Sequence, residues 1–198
     1  MNEMMNHEEN RPAFDMRTGY RGVVSLDNVR ITHKNFKGVG TPFNHEGDRN
    51  FSIVIPTKEA ADALAADGWN VKIKPPREEG DEPFMFLPVK VKFSQYGPNI
   101  YKTSGDNTIK LSEETVGILD DADIVNARID IRPYVWNVNG QTGKTAYLQA
   151  MQVFQLLDRF AAEFEAGKTT AKAIGVIDAY GNLHSSIDGH DLEWSDIE

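Results

Sequence analysis

Lys72, Lys74, Lys90, Lys92, Arg128 and Arg132 occupy alternate positions in short runs whose intervening residues are largely apolar, with Tyr96, Tyr101, Tyr134, Trp136 and Tyr147 close to them in the chain. Successive strand side chains point to opposite faces, so such runs bury one face and present cations and rings on the other. Cations so spaced can track the phosphates of a flexible chain, and flat rings can stack on unpaired bases of any sequence. The pattern therefore suits a platform for a single-stranded nucleic acid. The same rings could instead lie under a loop or a partner subunit, because Tyr and Trp are also the residues of interfaces.

The element that must position most of these groups is Ile124 to Leu157, which reads as two long strands joined at Asn139-Gly140, a dipeptide suited to a tight hairpin turn. Val125, Ala127, Ile129, Ile131, Pro133 and Val135 form its apolar face, and Asn126, Arg128, Asp130, Arg132, Tyr134 and Trp136 the other. The return strand is expected to add Ala146, Leu148 and Ala150 to the apolar face and Thr145, Tyr147 and Gln149 to the outer one. Two alternatives stay open here. GQTGKT is similar to a phosphate-cradling loop, but only two residues separate Gly140 from Gly143 where that motif needs four, and Val138 stands where it needs Gly. Tyr147, Ala150, Met151, Phe154 and Leu157 also recur at helical spacing.

Upstream, residues 21–36 read as a first long strand, with Val29, Ile31 and His33 on one face. A glycine-rich loop, KGVGTPFNHEGD, follows. His33 and His45 match no metal-ligand spacing, and neither a metal nor a cofactor is expected. Phe51, Ile53 and Ile55 alternate as a second strand, and Thr57 is placed to cap a helix that Gly68 ends. Trp69, Val71 and Ile73 are expected to be the buried face of a third strand, and Val89, Val91 and Phe93 of a fourth. Tyr96 and Tyr101 flank a Gly-Pro turn, and Ser112 is expected to cap a short helix ending near Leu119. Leu156, Leu157, Phe160 and Phe164 predict a terminal helix, and Ile177 to Leu183 a small hairpin.

The 198 residues contain no Cys, which excludes disulfides, thiolate metal sites and a Cys nucleophile. No run is apolar and long enough for a signal peptide or a spanning helix, so the expected location is the cytoplasm, away from membranes. The net charge of -9 is polarised: -3 over residues 1–10, +3 over 11–110 and -9 over 111–198. The last eleven residues carry Asp188, Asp191, Glu193, Asp196 and Glu198 without a Lys or Arg, interspersed with Leu192, Trp194 and Ile197. A composition so polar and acidic predicts disorder.

Long strands, a short helix and two further long strands fit a mainly β fold, an OB-fold-like Greek-key barrel with two or three short helices and a disordered acidic C-terminal tail. The early helix would be an insertion. The expected organisation is a polar extension over 1–16, the barrel domain over 17–166 and a flexible acidic tail over 167–198. In RNFSIVIPTKEAADALAADGWNVKIK, FLPVKVKF with YGPNIY, and ARIDIRPYVW followed by GKTAYLQAMQVFQLL, the chain resembles the single-stranded DNA-binding proteins of tailed bacteriophages. That resemblance implies an OB fold and sequence-independent binding of single strands in replication, recombination or repair, without catalysis. In a phage-encoded protein the location would be the host cytoplasm. The family's basic and aromatic sheet residues would fall on Lys72, Lys74, Lys90, Lys92, Arg128, Arg132, Tyr134, Trp136 and Tyr147. The acidic end would meet replication or recombination proteins, although it finishes in Ile197-Glu198 and not in an aromatic residue. Homo-oligomerisation is left open. A virion adaptor using the aromatic face as a subunit interface, and a nucleotide-binding enzyme, are the competing classes.

Overall fold

A computed structural model describes residues 14–156, apart from 15, 43, 77 and 79, together with the backbone of 176–177 and 183–184. Its strands are Met16–Thr18 (β1), Val24–Val29 (β2), Ile31–Asn35 (β3), Arg49–Ile55 (β4), Lys72–Lys74 (β5), Phe84–Val91 (β6), Asn99–Ser104 (β7), Asn107–Leu111 (β8), Ile124–Val138 (β9) and Gln141–Gln155 (β10). One α-helix, Lys58–Ala66 (α1), lies between β4 and β5. The protein is thus mainly β. The first compact unit ends at Leu156, and in the second Val176–Ile177 (β11) pairs antiparallel with Leu183–His184 (β12), the small hairpin expected there. The expected terminal helix and acidic tail lie outside the described residues.

The hydrogen-bonded path runs β1-β2-β9-β10-β6-β4-β3 and is not closed by a ladder, with β5 on β6, β7 on β10 and β8 on β7. The long first strand is broken. Left-handed Asn28 (φ 53°) and His33 (φ 48°) sit at register shifts, so β2 pairs with β9 whereas β3, one residue further along, pairs with β4. Against the expected common face, Val29 is buried and His33 is exposed.

The hairpin forms as its pattern predicts, with Asn139 (φ 51°) and Gly140 (φ 79°) both in the left-handed region that a two-residue turn requires. β10 is strand throughout, which removes the helical alternative. Its backbone is paired with β9 on one edge and, on the other, with β6 at Ala146–Tyr147 and β7 at Ala150–Gln155. A bulge between Leu148 and Ala150 overturns part of the face assignment. Beyond it Met151 and Val153 turn into the core, and Ala150 faces outward opposite Asp130. Val125 and Val135 are likewise not core residues, being 52% and 64% exposed on either side of the buried Ala127, Ile129 and Ile131.

Ala127, Ile129, Ile131, Phe51, Ile53, Leu87 and Val89 form the core with Leu26 and Phe36. Phe36 stacks on Phe51 at 5.4 Å. Thr57 Oγ1 accepts from the Ala60 N–H (3.2 Å), so α1 is capped as expected, and it buries Ala61 and Leu64. The helix expected from Ser112 is instead a 3-10 turn over Val116–Asp120, whose Asp120 carboxylate accepts from the Phe36 and Lys37 N–H groups at 2.7 and 2.8 Å. The strand expected at Trp69 to Lys74 is only three residues long. Trp69 is buried, but Ile73 is 54% exposed on β5, which pairs with β6 alone and forms an edge.

Candidate nucleic-acid interface

Cross-strand register brings part of the candidate set together. Tyr147 on β10 faces Arg132 on β9 and Lys90 on β6, and Lys90 in turn faces Asn50 on β4. Directly opposed residues share a face, so these four side chains form a row across the outer surface, stepping about 4.8 Å per strand. The row crosses from one cation to the next through an aromatic ring. Tyr134, 60% exposed, meets Tyr147 edge-on at 6.0 Å. After Lys90 the chain reaches Lys92 and the turn of Ser94 and Gly97, closed by Ser94 N–H to Gly97 O (2.8 Å), which lifts Tyr96 to 81% exposure. Lys92, Tyr96, Arg132, Tyr134 and Tyr147 line one open groove of about 390 Å³.

The other candidates stand apart from that groove. Trp136 lies on the same face of β9 but is half-buried, its indole covering the cross-strand partner Gly143 so closely that a Cβ there would fall on the ring. Its geometry is that of an aromatic shielding a strand glycine. Arg128 is about 13 Å along β9 from Arg132. Its guanidinium lies 5.5 Å from the Phe154 ring centroid and 3.9 Å from Asp27, which also pairs with Arg17. Tyr101, 37% exposed on β7, joins Arg128 through Gln152 of β10.

Lys72 and Lys74 oppose Phe86 and Phe84 at the far end of β6. Lys74 Nζ lies 3.2 Å from His33 Nε2 and 5.3 Å from the Phe86 ring centroid, and His33 sits 4.8 Å from Phe86. Burial, with Lys74 second, holds the His33 pKa below its ordinary value, so at neutral pH its Nε2 can accept from the ammonium. Sequence reasoning missed His33, Phe84 and Phe86. The alternation Phe84, Phe86, Pro88, Lys90 was there to be read, whereas the bulge that turns His33 onto this face left no periodic trace.

Lys144, the lysine of GQTGKT, is committed elsewhere. Its Nζ pairs with Asp67 at 2.7 Å and lies 5.7 Å from the Trp69 ring centroid, while its backbone bonds Gly68 O (2.7 Å) and Asn70 N–H (3.2 Å). These bonds tie the hairpin to the end of α1. Among the described residues no three His, Asp or Glu side chains gather as a metal site, and no helix is long and apolar enough to cross a membrane.

A row of cations and rings beside an open groove suits an extended anionic polymer that offers flat faces. The chain matches the family described as "Putative phage ssDNA-binding domain" over residues 18–188, and it belongs to that family of phage single-stranded DNA-binding domains. Solved structures similar to it include the single-stranded DNA-binding protein from bacteriophage Enc34 with a C-terminal truncation, at TM-score 0.47 and 10% identity, covering 75% of this chain and 94% of that one. The same Enc34 protein in complex with ssDNA is similar at TM-score 0.46 and 12% identity, covering 76% and 96%. No curated protein matches the chain.

Proposed function

We propose that the protein binds single-stranded DNA along the outer face of β9, β10 and β6 with little preference for sequence, as an OB-type barrel, and without catalysis. One observation carries the reading: Arg132, Tyr147 and Lys90 stand side by side in register on three adjacent strands, with Tyr134, Lys92 and Tyr96 around the same groove. Cations contact phosphates and the rings accept unstacked bases, whereas a duplex hides its base faces. The OB reading is supported by the path. If β2 and β3 count as one bent strand, the order from it is β4, β6, β10 and β9, returning to the bent strand, with β6 and β10 parallel and the other ladders of that path antiparallel. α1 with β5, and the β7–β8 pair, are then insertions.

The protein serves phage DNA replication, recombination or repair in the host cytoplasm. The part assigned to residues 188–198 rests on their charge and apolar residues alone: they meet other replication or recombination proteins.

The test is fluorescence anisotropy with a labelled oligonucleotide, single-stranded and duplex, across a range of salt. With about four to six phosphates neutralised, log affinity falls against log salt with a slope near -3 to -4, and single strands bind more tightly than duplex. Equal affinity for duplex, or affinity independent of salt, overturns the reading.

A further inference from the structure

A second cavity, of about 160 Å³, opens beyond the β10 bulge and is bordered by Tyr101, Ala150, Gln152, Asp130, Asp27 and Arg128. It is about half the lower bound for a drug-sized ligand site, which leaves room for one ring system. The bulge creates the space by setting the small Ala150 opposite Asp130. Tyr101 supplies a wall; Arg128 lies with its guanidinium over the Phe154 ring, and the rest of the polar lining accepts hydrogen bonds, unlike that of a phosphate site. Asp130 uses Oδ1 to accept from Ser25 Oγ (2.7 Å), and among the described residues its Oδ2 has no partner. Gln152 donates through Nε2 to Thr103 Oγ1 (2.9 Å), which leaves its Oε1 to accept. Asp27 is occupied by Arg17 and lies 3.9 Å from Arg128.

Two open acceptors beside an aromatic wall repel a phosphate and attract an N–H edge. We propose that this cavity takes one base of the bound strand and favours a base with an exocyclic amino group (cytosine, adenine or guanine) over thymine. An amino group donates two hydrogens to such acceptors, whereas thymine brings one N–H flanked by two carbonyls that face the carboxylate unfavourably. This inference rests on the single-strand reading and adds to it a composition preference at one position, on a background of stacking that tolerates any base.

The experiment compares affinities for oligo(dC) and oligo(dT) of equal length, for the full chain and for Asp130→Asn and Gln152→Leu. Asp130→Asn retains an acceptor for Ser25, and Gln152→Leu leaves the Thr103–Thr108 hydroxyl pair (2.9 Å) intact, so the two variants perturb the fold independently. The expected result is oligo(dC) bound about threefold to tenfold more tightly by the unaltered protein, as one or two hydrogen bonds would give. Each variant is expected to bring that ratio toward one, Gln152→Leu by weakening oligo(dC), and Asp130→Asn also by tightening oligo(dT), because it removes the carboxylate that the thymine carbonyls face. Equal affinity of the unaltered protein for the two oligonucleotides, or a ratio that neither variant alters, overturns the base pocket while leaving single-strand binding in place. Failure of both oligonucleotides to bind removes the single-strand reading as well.

Discussion

Tyr134 and Trp136 are two positions apart on one face of β9, yet their surroundings assign them different work. Tyr134 is exposed and touches Tyr147 by an edge, so its ring is available to a base. Tyr134→Ala is expected to weaken oligonucleotide binding by about 1–3 kcal/mol without moving the unfolding midpoint. The Trp136 indole is spent on Gly143, so Trp136→Ala should cost about 0.2–1 kcal/mol of stability, the scale of a cross-strand aromatic pair. Gly143→Ala separates the roles further. A Cβ at that position displaces the indole, so the tryptophan emission should shift while Tyr134 and Tyr147 stay in place. Unchanged emission would mean that the ring does not cover the glycine.

At the scale of the element, the hairpin beyond Pro133 is anchored by Lys144, through its backbone to Gly68 and Asn70 and its ammonium to Asp67. The hydrogen bond from Lys144 is the largest influence holding the Asp67 carboxyl below its usual range, with its charge and the Trp69 indole N–H adding to it. A carboxylate with a depressed folded-state pKa stabilises fully above its unfolded value and loses that contribution as pH falls through the folded one. The anchor should therefore be intact at neutral pH and loosen below about pH 4. Asp67 is largely exposed, so the effect on global stability is small. Hydrogen exchange should report it locally. The Lys144 and Asn70 amides are expected to show less protection, relative to intrinsic rates, in acid than at neutral pH, and Asp67→Asn should show the lowered protection at both. Equal protection of Asp67→Asn and the unaltered chain would place the anchoring in the backbone bonds alone.

Over the whole molecule the charge is divided, with a mildly basic stretch over residues 11–110 and -9 over 111–198. Carboxylates joined to the same chain as the groove act at a high effective concentration, and salt screens them. Removing the residues after Gly189 is expected to tighten oligonucleotide binding at low salt and leave it nearly unchanged at high salt. If truncation weakens binding, or acts equally at every salt concentration, the acidic end is no competitor of phosphate.

Alternation along Ala127 to Ile131 was enough to divide the middle of β9 into its two faces, and Asn139-Gly140 to fix the turn, because strand period and turn chemistry are properties of neighbours in the chain. Thr57 and Gly68 marked the ends of α1 for the same reason. Arg132 opposite Tyr147 follows from that turn, but the step from Tyr147 to Lys90 that completes the row was not legible in this way. It depends on which strand pairs with which edge of β10, and that pairing joins residues more than forty positions apart in the chain. The bulge at Gln149 is the sharpest case. One extra residue reverses every side chain after it, making Met151 and Val153 core and opening the space at Ala150, without altering the local composition that a sequence reading uses. Trp136 belongs to the same class, since its period places it on the outer face but only the opposite strand's glycine decides that its ring lies against the sheet.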